Sequence, residues 1–254
     1  MTANEYVISV INKHALPTKI DSYTEQAVIT PLKRLVTNWA GNCLCEIKLS
    51  GSRAKGTAID IATDLDLFIS LSSTTSNSLS EIYDSLYVKL LNSGIKPRKQ
   101  NVSIGVTYGG KRVDLVPGKR QSQYGNDHSL YKRKSDSWTK TNIDTHISNV
   151  IHSGRRNEIL ALKIWRENHG IEFPSILLET LLIEALKGRS TTATADNVLF
   201  LFKYLQDHIS TIRVLDPANT NNVLSNDLSV YEKQVIAKQA EKSLSKPYWE
   251  QIIW

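Results

Sequence analysis

The chain has 254 residues, enough for one large domain or two modest ones, each with its own core. It carries a formal charge of +6 and only two cysteines. No apolar run approaches the ~20 residues that span a bilayer, and the N-terminus lacks a secretory signal pattern, so a cytoplasmic protein without a membrane partner is the expectation.

From the N-terminus, residues 4–14 and 22–40 are expected to be helical. In the second stretch Val28, Ile29, Leu32, Leu35 and Val36 fall on helical spacing and Trp39 closes the stripe. Strands are expected near 44–50, 64–71, 102–107 and 111–116, with Gly109-Gly110 as the hairpin turn between the last two. Cys43 and Cys45 are too close in sequence for an easy disulfide and lack further Cys or His partners for zinc, so they read as strand core residues. Residues 72–78 are Ser/Thr-rich and read as a loop. The stretch 78–91 carries Leu79, Ile82, Leu86, Leu90 and Leu91, a helix packed on the sheet.

After Ser137-Trp138-Thr139 the pattern turns to helices only, over 142–151, 156–169, 175–186, 195–209 and 229–242. Gly154, Gly170, Pro174, Gly188 and Pro217 punctuate them. The expected fold is therefore α+β: a mixed sheet backed by helices over residues 1–140, then an all-helical lobe over 141–254. The active site is expected between the two halves.

The chemistry is concentrated in three carboxylates. In an extended strand Asp64 and Asp66 project from one face while Leu65 and Leu67 point to the other. Two ionised carboxylates side by side repel unless cations lie between them. Hard divalent ions such as Mg²⁺ or Mn²⁺ suit these oxygen ligands. Asp114 stands in a second apolar strand, flanked by Val113 and Leu115. With it, the set could hold two ions about 3.5–4 Å apart, one activating an attacking hydroxyl and one stabilising a leaving pyrophosphate. Upstream, strand 44–50 runs into Gly51-Ser52. Glycine permits the φ > 0 backbone of a phosphate-cradling turn, Ser52 can donate to a phosphate oxygen, and Arg53 and Lys55 are nearby cations.

This joint pattern resembles the polymerase β-like nucleotidyltransferase superfamily, within it the branch of the bacterial CD-NTases (cyclic-GMP-AMP-synthase-like enzymes), the 2′-5′ oligoadenylate synthetases and the archaeal CCA-adding enzymes. The likeness runs through Gly51-Ser52 with Gly56-Thr57, Thr63-Asp64-Leu65-Asp66, and Val113-Asp114-Leu115-Val116-Pro117. It continues through residues 158–165, 173–179 and 215–223. The resemblance implies that Asp64, Asp66 and Asp114 bind metal and that Gly51, Ser52 and Lys55 belong to the nucleotide site. It also implies that Lys163 and Ser175 reach the triphosphate. From its apolar neighbours Ile159, Leu160, Leu162 and Ile164 alone, Lys163 would snorkel to solvent. Relatives often place a Tyr just after that Ser; Ile176 stands here, so base stacking must come from elsewhere.

A basic segment surrounds and follows Asp114: Lys111, Arg112, Lys119, Arg120, Lys132, Arg133, Lys134 and Lys140, against only Asp114, Asp127 and Asp136. It reads either as a rim that steers triphosphates or a polynucleotide, or as a solvated loop. His128, His146 and His152 are not spaced as a metal cluster; His128 is the best of them as a phosphate or ribose contact. Trp138 and Trp165 read as packing residues.

The expected function is a nucleotidyltransferase that joins nucleoside triphosphates into a cyclic or linear oligonucleotide signal, as in bacterial anti-phage defence. Its expected partners are the triphosphates, an activating or acceptor nucleic acid, and a downstream effector protein reached through the product. The rival is an RNA-end enzyme of the CCA-adding or tRNA-modifying kind. Archaeal CCA-adding enzymes carry further domains that grip the tRNA, and with the chain ending at Trp254 the expectation is for small substrates instead. A catalytically dead nucleotide-binding scaffold is disfavoured by the three intact carboxylates.

Overall fold

The computed structural model describes residues 1–254 and divides into two compact units. One unit comprises Pro17–Lys55 and Thr63–Ile147 and carries the sheet. Its strands are β1 (Leu44–Ser50), β2 (Leu65–Leu71), β3 (Arg98–Lys99), β4 (Ile104–Tyr108), β5 (Lys111–Arg120), β6 (His128–Lys132) and β7 (Ser137–Thr141). The order is β1-β2-β5-β4-β3, with the β6–β7 hairpin attached to the end of β5. Only the β2–β5 pair is parallel. A parallel pair needs a long crossover, and α5 (Leu79–Asn92) lies in it.

Alternation along β2 sends Leu65, Leu67, Ile69 and Leu71 into one core with Ile82, Tyr83, Leu86 and Leu90 of α5. Each such side chain contributes roughly 1.5–3 kcal/mol by leaving water. The helix α5 starts where the sequence requires: Ser78 accepts from the Glu81 N–H while the Glu81 carboxylate accepts from the Ser78 N–H, a reciprocal cap. The helix expected over 22–40 forms in three pieces, α2 (Ser22–Thr24), a π-helical segment Glu25–Ile29, and α3 (Thr30–Ala40). Thr30 N–H reaches back five residues to the Glu25 carbonyl, and the next residue, Pro31, has no N–H to restore the tighter ladder. Val28, Ile29, Leu32 and Val36 are buried in the same core.

Three expectations change here. Strand β5 runs past residue 116 through Pro117 and Gly118 to Arg120. Its pairing with β4 ends at Ile104–Leu115, so Pro117 owes that neighbour no N–H. The basic segment is not a loop. Lys111, Arg112, Lys119 and Arg120 lie on β5, and the rest of the segment's cations lie on β6, on β7 or in the 3₁₀ turn between them; β6 and β7 are short polar strands without the apolar alternation that marks a strand in sequence. The cysteines are not core: Cys45 is exposed on β1, an edge strand, and Cys43 is half-buried in the 3₁₀ turn before it.

The second unit comprises Met1–Leu16, Gly56–Ala62 and Ser148–Trp254. Its full-length helices are α1 (Ala3–His14), α7 (Arg156–Asn168), α8 (Ser175–Ala185), α9 (Thr194–His208) and α10 (Val230–Leu244); α4 (Gly51–Lys55) belongs to the sheet unit, and α6 (Ile143–Ile151) runs across the boundary. This differs from a division at residue 140. Val7, Val10 and Ile11 of α1 share a core with Ile159, Trp165, Leu181 and Phe202, and the segment after α4 joins it through the Ala15–Ile59 bridge. Burial of these apolar faces outweighs proximity in sequence. The helices-only expectation also missed a small hairpin, β8 (Leu215–Asp216) with β9 (Asn219–Val223). No helix is long and apolar enough to cross a membrane.

Candidate metal and nucleotide site

A single row of opposed residues crosses the sheet: Ser50 on β1, Asp66 on β2, Asp114 on β5, Gly105 on β4 and Arg98 on β3. Opposed residues share a face, so Asp66 and Asp114 stand side by side with apolar neighbours on the reverse side. Gly51 follows β1 directly with φ +59°, opening the short helix α4 that carries Ser52 and Lys55. A Cβ built on Gly51 would lie 1.8 Å from Asp66 Oδ2, so the carboxylate occupies the room that a side chain would need. The glycine serves both a left-handed backbone and the placement of a carboxylate.

Asp64 lies one residue ahead of β2, and its Oδ1 receives Arg112 Nε at 2.5 Å. Asp114 accepts from Gln100 Nε2 at 2.9 Å. Burial raises the Asp114 pKa, and the nearby Asp64 charge raises it further, against the Gln100 hydrogen bond and the charges of Arg98 and Arg112. The expected three-carboxylate cluster is not preformed, since no group of three or more His, Cys, Asp or Glu stands in a metal-holding arrangement. Asp64 turns to Arg112 and Asp114 to Gln100, which lessens their mutual repulsion. The donor set still fits a hard divalent cation: oxygen ligands only, two of them in register, and a third whose charge is felt at Asp114.

The remaining expected residues fall out differently. Ser52 and Lys55 are half-buried on α4 beside Gly51. Arg53 is not a loose cation, because its Nη1 donates to the Pro17 carbonyl at 2.7 Å. Lys163 and Ser175 belong to the helical unit. Lys163 is 2% exposed, with Nζ 2.7 Å from Glu179 Oε1 and 2.9 Å from Thr57 Oγ1. It neither snorkels nor presents an open ammonium: a cation that deep needs its carboxylate partner. Ser175 Oγ accepts from Arg166 Nη1 at 2.9 Å.

His128 is also buried rather than poised for a phosphate. Its Nε2 lies 2.8 Å from Ser70 Oγ and its Nδ1 2.8 Å from the Asn126 carbonyl, and burial lowers its pKa. Arg120 Nε donates to the same Ser70 hydroxyl, and Arg133 Nε to the Gln100 carbonyl. Part of the basic segment therefore serves the fold. Trp165 packs on Phe202 as expected of a packing residue, whereas Trp138 on β7 is exposed. Sequence reasoning missed Arg98, Gly105 and Gln100, which belong to no motif; the register places the first two in the Asp114 row, and a hydrogen bond to Asp114 joins the third to it.

The chain has the α+β fold of polymerase β-like nucleotidyltransferases, the architecture of the CD-NTases. No family model and no curated protein matches the sequence. Among solved structures, CdnC of E. coli MS115-1 with ATP superposes with a TM-score of 0.77 at 19% identity, covering 98% of this chain and 96% of that one. The CD-NTase CdnG of Bradyrhizobium diazoefficiens in complex with GTP gives 0.73 at 11% identity, covering 98% and 94%. The Cid1 poly(U) polymerase, as a mutant bound to MgATP, gives 0.68 at 12% identity, covering 98% and 97%.

Proposed function

We propose that this chain is a divalent-metal-dependent nucleotidyltransferase that joins nucleoside triphosphates into a cyclic or linear oligonucleotide signal in the cytoplasm, as part of anti-phage defence. The observation that carries the reading is the Asp66–Asp114 register pair with Gly51 packed against the Asp66 carboxylate. Bound Mg²⁺ or Mn²⁺, held by Asp64, Asp66 and Asp114, would lower the pKa of the attacking hydroxyl and offset charge on the leaving pyrophosphate. In the reaction an acceptor hydroxyl oxygen bonds to the α-phosphorus as the bond to the β-phosphate oxygen breaks; pyrophosphate departs and the hydroxyl proton passes to water. Ser52 and Lys55, next to Gly51, hold phosphate oxygens by hydrogen bond and charge. The nucleotides named in the similar structures, ATP and GTP, support triphosphate substrates. The product would act through a separate effector protein, and a nucleic acid would serve as activator.

The likeness to a poly(U) polymerase keeps one second reading in view, nucleotide addition to an RNA end. The two separate in one experiment. Purified protein is incubated with each radiolabelled triphosphate and Mg²⁺ or Mn²⁺, with and without tRNA. Label in short phosphatase-resistant species without RNA supports the signal-making reading. Label found only in tRNA supports the second, and no incorporation under any condition contradicts both.

A further inference from the structure

The Asp114 carboxylate is held by a built chain of polar contacts that no sequence motif marks. Gln100 Nε2 donates to Asp114 Oδ1 at 2.9 Å. The other end of that amide is fixed, because Gln100 Oε1 accepts from Ser103 Oγ at 2.6 Å, which sets the NH₂ toward the carboxylate. The turn carrying both residues is closed by Gln100 N–H donating to the Ser103 carbonyl at 3.0 Å. Beneath it, the fully buried Tyr83 places its hydroxyl 2.9 Å from both the Gln100 and the Ser103 carbonyls. Space for the contact comes from Gly105, opposite Asp114 on β4. A Cβ there would lie 2.6 Å from Gln100 Nε2 and 3.0 Å from Asp114 Oδ1.

We propose that Gln100, oriented by Ser103 and admitted by Gly105, is a positioning residue that aims the Asp114 carboxylate for divalent-cation binding. The inference rests on the reading of Asp114 as a metal ligand given above. An amide donor to one carboxylate oxygen leaves the second oxygen for the cation and removes the rotational freedom that a lone Asp would have to lose on binding. The arrangement is specific to an amide: a carboxylate at position 100 would face Asp114 with like charge, and an apolar side chain would leave Oδ1 without this donor.

The test is Mn²⁺ binding to the purified full chain, followed by the electron paramagnetic resonance of free Mn²⁺, with no turnover required. Ser103→Ala leaves Gln100 in place but frees its amide, Gly105→Ala displaces it, and Gln100→Leu removes the donor. Partners of ligating groups typically tune metal affinity by 10–100-fold, so Gln100→Leu and Gly105→Ala are expected to weaken Mn²⁺ by about that factor, and Ser103→Ala by less. Where activity is followed, kcat falls while KM for the triphosphate holds. Should Gln100→Leu destabilise the fold, the folded Ser103→Ala and Gly105→Ala proteins carry the same prediction. Wild-type Mn²⁺ affinity in folded variants, with binding lost in Asp114→Asn, overturns the positioning role and leaves the metal site standing. A wild-type protein that binds no Mn²⁺, or binds it undiminished after Asp114→Asn, contradicts the metal-site reading and the inference together.

Discussion

The Asp66 carboxylate stands where a side chain on Gly51 would be, with Oδ2 1.8 Å from the position of the missing Cβ. The residue that directly follows β1 and the second residue of β2 are thus fitted to each other. Gly51→Ala is expected to strain the backbone, since φ is +59° there, by about 1–2 kcal/mol. It also pushes Asp66 aside, and a displacement of about 1 Å at reacting groups can cost ~10²-fold in rate. Thermal unfolding and turnover should both fall, turnover far more; wild-type turnover in Gly51→Ala would show that Asp66 placement is irrelevant to activity.

Lys163 and Glu179 form an ion pair buried to 3% and 2% side-chain exposure. Removing one partner strands the other charge, so Lys163→Met and Glu179→Leu should each destabilise by about 3–5 kcal/mol. The double variant should lose much less than the sum, as charge and counter-charge leave together. Additive losses in chemical denaturation would contradict the pairing. A Lys163 variant that stays as stable as wild type but loses affinity for ATP and not for AMP would restore the triphosphate role.

His128 gives a signed pH dependence. Burial lowers its folded pKa below the ordinary value of 6.5, with Arg120 and Lys48 adding repulsion and the Asn126 carbonyl and Asp144 opposing. The unfolded chain therefore binds a proton that the folded one resists. This contribution is fully present above the unfolded value and is lost as pH falls through 6.5 toward the folded pKa. The melting temperature should drop between about pH 7.5 and 5 more steeply in wild type than in His128→Gln. Parallel slopes would show that this histidine titrates alike in both states.

Lys132 ends β6 and Lys134 lies in the 3₁₀ turn after it, either side of Arg133, which donates to the Gln100 carbonyl. If they steer anionic substrate, replacing both by Gln lowers the rate at low substrate and low salt several-fold and leaves saturating turnover intact. A collapse of saturating turnover that salt does not modulate would assign them to the site or the fold.

The legible part of this molecule was the part written in local periodicity. Alternation around Leu65–Ile69 and Val113–Leu115 gave β2 and the start of β5, and helical spacing gave α5 and the C-terminal helices. The Asp66–Asp114 pair was legible because both lie in apolar strands. What stayed hidden depends on contacts distant in sequence. The Lys163–Glu179 pair was hidden because Glu179 is one turn into another helix. The β6–β7 hairpin was hidden by its polar side chains, and α1 gave no sign that it would join helices some 150 residues later in the chain. Gln100 has no periodic or motif signal at all.

If Asp66 and Asp114 together carry nucleotidyl transfer, the negative charge of both is indispensable to it. Asp66→Asn and Asp114→Asn keep shape and remove charge, so the fold should hold while the site loses its cation donors. The measurement is incorporation of α-labelled ATP and GTP into phosphatase-resistant product with Mg²⁺ and with Mn²⁺, normalised to folded protein by circular dichroism. Product is expected from the wild type, with a fall of at least about 100-fold in each single variant and little further loss in the double. A folded Asp66→Asn, Asp114→Asn double variant that makes product at more than a trace of the wild-type rate would contradict that requirement.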